Sequence, residues 1–248
     1  MIGCDDAAHA AWGEGWRMPT TEEFQAFGEA VNTAWAYDYE NSGVAGVICT
    51  DKEDSSKVLF FPAAGWADGG RMHSVGDSIY YWSSSLRDSD VAYAYRLYFA
   101  YGSAYWDSYS WRLFGYPIRP VLASGDSERP YVEIGGIKWS TMNIGAESES
   151  DYGLYFQWGD IQGYTTSQIG SGEEQKSFDW ADYKYCDGTS SVMTKYNSTD
   201  GLTTLVAGTK SYSDEITAET SKIYLDTPTN CSYRWSGTAY VLIGSSQT

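Results

Sequence analysis

The sequence predicts an α+β fold with two short helices, small antiparallel sheets and long loops. Three observations carry this expectation. Helix signals cluster near the N-terminus, alternating strand-like runs follow, and 26 glycines in 248 residues call for many turns. A chain of this length can bury a sizeable core as one large domain or two small ones.

The elements follow in order. "CDDAAHAAWGEG" reads as a short helix, with Asp5 or Asp6 as its cap and Gly13 as its stop. In "WRMPTTEEFQAFGEAVN", Thr20 and Glu23 form a capping box, and Phe24, Phe27 and Val31 share one helical face. "VAGVICTD" and "KVLFFPAAG", joined by the polar turn "KEDSS", read as a hairpin. "SIYYWSSSL" is a further strand, followed by a tyrosine-rich region and then "YPIRPVLAS". The composition changes at "SGDSERP", residues 124–130, a predicted linker. "YVEIGGIKWSTMNIG" gives two short strands around Gly135–Gly136, and "DYGLYFQWGD" an aromatic strand or loop. Residues 160–203 read as long surface loops. Within 204–248, "KIYLDTPTNCSYRWSGTAYVLIG" reads as a small antiparallel meander or connector.

Charge and composition exclude several functions. A net charge of −17 leaves nothing to replace phosphate counterions, so no nucleic-acid partner is expected. It equally disfavours an anionic membrane surface, and no apolar run approaches the about 20 residues of a membrane span. Cys4, Cys49, Cys186 and Cys231 lack metal-ligand spacing and are expected mostly as free or buried thiols. The two histidines, His9 and His73, have no nucleophile or carboxylate at a telling spacing. The expectation is a protein that is not an enzyme, with no catalytic residues, no metal and no cofactor. Trp16, Trp82 and Trp139 are expected in the core, Ser83–Ser85 against backbone groups, and Arg17 and Arg119 beside carboxylates such as Glu22 or Glu23.

The stretch "AYAYRLYFAYGSAYWDSYSW", residues 92–111, sorts by strand alternation. Leu97 and Phe99 mark one parity as inward, and Arg96 marks the other as outward. The inward set is Val91, Tyr95, Leu97, Phe99, Trp106 and Tyr116. The outward set is Arg87, Asp90, Tyr93, Arg96, Tyr98, Tyr101, Ser103, Tyr105, Asp107, Tyr109, Leu113 and Phe114. Displayed tyrosines offer large contact area and a hydroxyl at low rotamer cost, while small neighbours leave room for fit. The outward set is therefore a candidate ligand-binding surface; packing of the sheet and its loops is the alternative.

The residues "GWRMPTTEEFQAF", "YYWSSS" and "GYPIRPV", with "VEIGGIKWSTMNIGA" and "YGLYFQWGD", resemble the Fibrobacter succinogenes major paralogous domain family. The resemblance implies a C-type-lectin-like fold over residues 1–203. In the family the "VEIGGIKW" part comes first and the "WRMPT" and "GYPIRPV" parts last. Here residues 1–123 correspond to the family's C-terminal half and 131–203 to its N-terminal half. The order is that of a circular permutant joined through 124–130, with a fragment of a tandem array as the alternative. No Glu-Pro-Asn or Trp-Asn-Asp triplet is present, so no calcium-dependent sugar site is carried over.

Some members of that family are variable proteins of diversity-generating retroelements, whose variable positions precede a "GY-x-x-RPV" ending, as residues 83–121 do here. Mutating adenines in Asn codons yields Tyr, Ser, Asp, Ala, Arg, Leu, Phe or Gly but not Lys, Glu, Gln or Met. None of those four occurs between Arg87 and Phe114, and Trp106 is scaffold by the same rule. The resemblance implies a receptor-binding protein or adhesin of Bacteroidetes or their phages, extracellular, on a cell surface or virion. Its partner would be a protein or glycan receptor on a cell surface, with the oligomeric state left open. A non-diversified structural module of a bacterial surface protein is the alternative.

Overall fold

The structure is a computed structural model. It describes residues 5–13, 15–87, 89–100, 102–123, 125, 127–191, 193 and 195–196, and the backbone of five strands between 204 and 245. Among the described residues it is α+β: two α-helices accompany five small antiparallel sheets.

Helix α1 (Ala7–Trp12) starts where the Asp6 carboxylate accepts the N–H groups of Ala8 and His9 and stops at Gly13, whose φ is 84°. Helix α2 (Thr21–Ala30) carries the full capping box: Thr20 accepts from Glu23 N–H, and Glu23 reaches back to Thr20 N–H. Phe24 and Phe27 point from it into the core. Val31, expected on the same helical face, begins strand β2 instead, with φ −116° and ψ 151°. Its β-branched side chain suits the extended backbone and stays buried there.

Ahead of α2 lies β1 (Trp16–Arg17). The strand β2 (Val31–Ala36) pairs with β3 (Gly46–Asp51), which forms the expected hairpin with β4 (Val58–Pro62). A small ribbon of β5 (Trp66–Asp68) and β6 (Arg71–His73) follows. The tyrosine-rich region then builds an antiparallel sheet in the order β7 (Ile79–Leu86), β8 (Tyr93–Ala100), β9 (Ser103–Trp111).

Segments on both sides of residues 124–130 meet in one sheet. Strand β10 (Val121–Leu122) pairs with β1 on one side and with β12 (Ile137–Ser140) on the other, and β12 returns as a hairpin from β11 (Tyr131–Ile134). The same core cluster accordingly holds Phe24, Phe27, Phe61, Tyr81, Leu97, Phe99, Val121, Ile134 and Trp139. The connecting segment is itself tied down: Trp16 Nε1 donates to Ser127 Oγ at 3.1 Å, and the Arg129 guanidinium lies 4.5 Å over the Trp12 ring. Beyond it, β13 (Thr204–Leu205), β14 (Asp214–Ala218), β15 (Ser221–Asp226), β16 (Cys231–Trp235) and β17 (Tyr240–Ser245) form a sheet ordered β13-β17-β16-β15-β14. The expected meander is its β15–β17 part.

Two expectations need correction. Residues 160–196 are irregular, as expected, but they are not merely surface loops. Phe178, Tyr183, Tyr185, Met193 and Tyr196 are buried. A hub makes this possible without a sheet: the Asp182 carboxylate accepts N–H bonds from Ser177, Phe178 and Asp179, and one from the Gln157 amide. Backbone groups that leave water are thereby satisfied. The second correction concerns the arginines. Arg17 pairs with Glu23 as expected, both nitrogens engaged at 2.5 and 2.6 Å. Burial pushes the Glu23 carboxyl up, yet the Arg17 hydrogen bond, the Thr20 N–H and the Arg17 charge outweigh it, leaving it below its ordinary value. Among the described residues Arg119 instead pairs with no carboxylate. It is fully buried and donates to Asn143 Oδ1, Ser140 O and Phe60 O at 2.9–3.2 Å. Three carbonyl-type acceptors from two segments take the place of a counter-ion.

Candidate binding surface

The sheet β7–β8–β9 carries the candidate site, and its register decides what faces where. Arg96 pairs with Ser108, but Tyr98 pairs with Tyr105, so two residues of β8 span three of β9. This is a bulge, and a one-residue slip moves every following side chain to the other face. Tyr105 and Tyr109 share a parity in β9 and would share a face in a regular strand. The bulge between them places them on opposite faces, each with its own β8 partner: Tyr98 beside Tyr105, Tyr95 beside Tyr109.

One face presents a row of rings across all three strands. Tyr80, Tyr98 and Tyr105 are cross-strand neighbours, with centroids 5.0 Å apart for the first pair and 5.6 Å for the second. The Arg96 guanidinium sits 4.8 Å over Tyr80 and 4.7 Å over Tyr98. Its Nε and Nη1 are buried with no hydrogen-bond acceptor, so ring faces provide its electrostatic surroundings. Burial and the neighbouring Tyr98 push the Tyr80 phenol above its ordinary value, against the opposing pull of Arg96. The other face carries Tyr93, Tyr95, Tyr109 and Trp111. There Arg87 lies 3.7 Å over the Tyr109 ring and 5.4 Å over Tyr93. Each such cation–ring contact is worth about 0.5–1 kcal/mol at an exposed site and mainly fixes the orientation of the rings.

The outward set distributes as follows. Asp90, Ser103, Tyr105, Asp107 and Tyr109 are exposed, Tyr105 at 51% and Tyr109 at 44%. Arg87, Tyr93, Arg96 and Tyr98 are half-buried, and Tyr101 lies outside the described residues. Leu113 is a correction, and Phe114 is half-buried. The chain turns after Trp111, so strand parity ends there. Leu113 is buried against Ala92, Tyr183, Tyr185 and Met193, and Phe114 packs half-buried on Trp66 at 4.7 Å. Of the inward set, Leu97, Phe99 and Tyr116 are buried and Trp106 packs edge-on against Phe27. Val91 and Tyr95 are only half-buried. Two members of the surface escape the sequence reading. Trp111, 40% exposed, follows Tyr109 at the spacing of two that marks that face, and Tyr80 alternates with buried Ile79 and Tyr81.

Chemically, these faces offer ring stacking, phenol hydrogen bonds and two held cations. Among the described residues no group of three His, Cys, Asp or Glu could hold a metal ion. His73 stacks on Trp66 at 4.4 Å and its Nε2 lies 3.3 Å from Asp68 O. Cys49 and Cys186 are free thiols, and burial pushes Cys49 up to about 12. A polar cleft of about 300 Å³ lies elsewhere, between Arg17, Glu23, Glu133 and Lys138. Among the described residues no helix is long and apolar enough to cross a membrane.

Residues 48–121 match a family described as a domain of unknown function (DUF8237). The matched stretch runs from β3 into β10 and contains the whole tyrosine sheet. No curated protein and no solved structure matches the chain.

Proposed function

We propose that this chain is a non-enzymatic ligand- or receptor-binding protein. It displays a tyrosine-rich surface, diversified by a retroelement, on a C-type-lectin-like scaffold whose segments are circularly permuted over residues 1–203, with 204–248 as a connector. It acts extracellularly, as a phage tail tip or cell-surface adhesin, on a protein or glycan receptor. The observation supporting this reading most is the three-stranded sheet with exposed tyrosines on both faces, each face orienting its rings around one arginine. Exposed, pre-oriented tyrosines make good interface anchors because little rotamer freedom remains to be lost on binding.

The bulge makes the reading testable by face. Binding of the full chain to a panel of bacterial cells and immobilised glycans is compared for Tyr98→Ala/Tyr105→Ala and Tyr93→Ala/Tyr109→Ala. One pair is expected to lower binding at least tenfold with folding retained. Unchanged binding in both, with folding intact, removes the tyrosines as anchors. A near-identical template repeat carrying Asn codons at the exposed positions, beside a reverse transcriptase gene, is the expected genomic counterpart, and its absence removes diversification. A second reading, a non-diversified structural module, is favoured by the internal contacts of the same rings, since Tyr80, Tyr98 and Tyr105 already satisfy one another by stacking.

A further inference from the structure

A buried cluster around Asp5 and Lys195 plays no part in the proposed binding. Lys195 Nζ is 2.5 Å from Asp5 Oδ2, and both side chains are 0% exposed. The Tyr185 hydroxyl donates to Asp5 Oδ1 at 2.5 Å and the Tyr196 hydroxyl to Oδ2 at 2.7 Å. The ammonium also lies 5.2 and 5.6 Å from the centroids of those two rings. Both partners are fixed from outside the cluster. Arg112 donates to the carbonyls of Lys195 and Tyr196, each at 3.2 Å. Next to Asp5, the Asp6 carboxylate accepts the N–H groups of Ala8 and Met18, both at 2.9 Å.

From this geometry we propose that Lys195 and Asp5 join through an intramolecular isopeptide bond. Condensation needs the neutral pair, and a single proton transfer within the 2.5 Å contact between Nζ and Oδ2 supplies it. The step balances within the cluster. A proton moves from Nζ to Oδ2, giving an amine and a carboxylic acid. The amine lone pair attacks Cγ, and the negative charge that develops on Oδ1 meets the Tyr185 hydroxyl. Oδ2 then departs as water, carrying the first proton and a second from the nitrogen, with Tyr196 hydrogen-bonded to the departing oxygen. One C–N bond forms, one C–O bond breaks, one water leaves and nothing is oxidised or reduced. Fixed apposition supplies the effective concentration that the uncatalysed condensation lacks, and preorganised donors stabilise the tetrahedral centre. The bond would tie residue 5 to residue 195, closing nearly the whole α1–β12 body and the irregular segment after it into one covalent loop, which restricts the unfolded chain.

The test is the intact mass of the denatured full chain. The expected mass is one water below that of the sequence, with no tryptic cleavage after Lys195 and a branched peptide that contains Asp5. Asp5→Ala and Lys195→Arg are each expected to restore the missing water. Because mass is read on denatured protein, neither variant has to fold for the comparison to count. A wild-type mass equal to that of the sequence, with Lys195 cleaved normally, overturns the proposal. So does a missing water that persists in Asp5→Ala.

Discussion

Arg112 and Arg119 show how this protein accommodates charge in its interior. Both are fully buried, and both donate to backbone carbonyls from separate segments rather than to a carboxylate. Burial holds the Arg119 guanidinium below its ordinary value, and the Tyr81 phenol is among the groups that oppose this. Arg119 bonds Phe60 in β4, Ser140 in β12 and Asn143 just after it, so one side chain stitches together segments far apart in sequence. Replacing it by Met removes three donors and leaves the acceptors buried. At about 1–3 kcal/mol for each orphaned group, Arg119→Met is expected to lower stability by about 3 kcal/mol or more, read from the urea midpoint. The sequence announces an arginine in "YPIRPV" but not its partners, because backbone carbonyls leave no trace in a sequence. Arg17 differs. Its partner Glu23 lies six residues away on a helix whose start is already marked by a capping box, so that pair is legible.

At the scale of elements, local signals set boundaries well where the chain itself supplies the partner. Asp6, Gly13, Thr20 and Glu23 act on their own helices, and both helices appear where these residues place them. The β3–β4 hairpin follows for the same reason. Helix α2 also carries a feature whose sign depends on packing. Gly28 lies under Trp106, and a Cβ there would fall 2.4 Å from the indole ring. In an open helix Gly→Ala stabilises by about 1 kcal/mol. Here the indole would have to move off Phe27, and overpacking costs about 1–3 kcal/mol. Gly28→Ala is therefore expected to lower the thermal midpoint, with a reduced near-UV signal from the displaced tryptophan; a raised midpoint would show that the indole yields freely. The β9 bulge is the counterpart among strands. Alternation places every second residue of β9 in solvent, yet only the pairing with β8 reveals that Tyr105 and Tyr109 look out on different faces.

Across the whole molecule, the core is built by segments that are distant in sequence. Val121 pairs with Trp139 across the 124–130 segment, and Trp139 packs on Phe24 and Phe27 of α2 in the core cluster that also holds Val121. A chain cut after residue 123 would lose the β12 partner of β10, leaving an unpaired edge and an open apolar face. The 1–123 fragment is expected to elute as aggregate in size-exclusion chromatography, where the full chain remains discrete. A soluble, cooperatively folding fragment would show that the first half stands alone.

The sequence by itself determined the α+β class, the two capped helices, the hairpins and the crowding of tyrosine between Arg87 and Phe114, because periodicity, caps and turns act over a few residues. Only the tertiary structure decided which rings share a face, that Leu113 is buried, and that the irregular 160–196 segment carries core aromatics. It alone brought Asp5 to Lys195 and gave Arg119 its three acceptors. Those outcomes depend on register across strands and on contacts between residues far apart in sequence, and no local pattern encodes either.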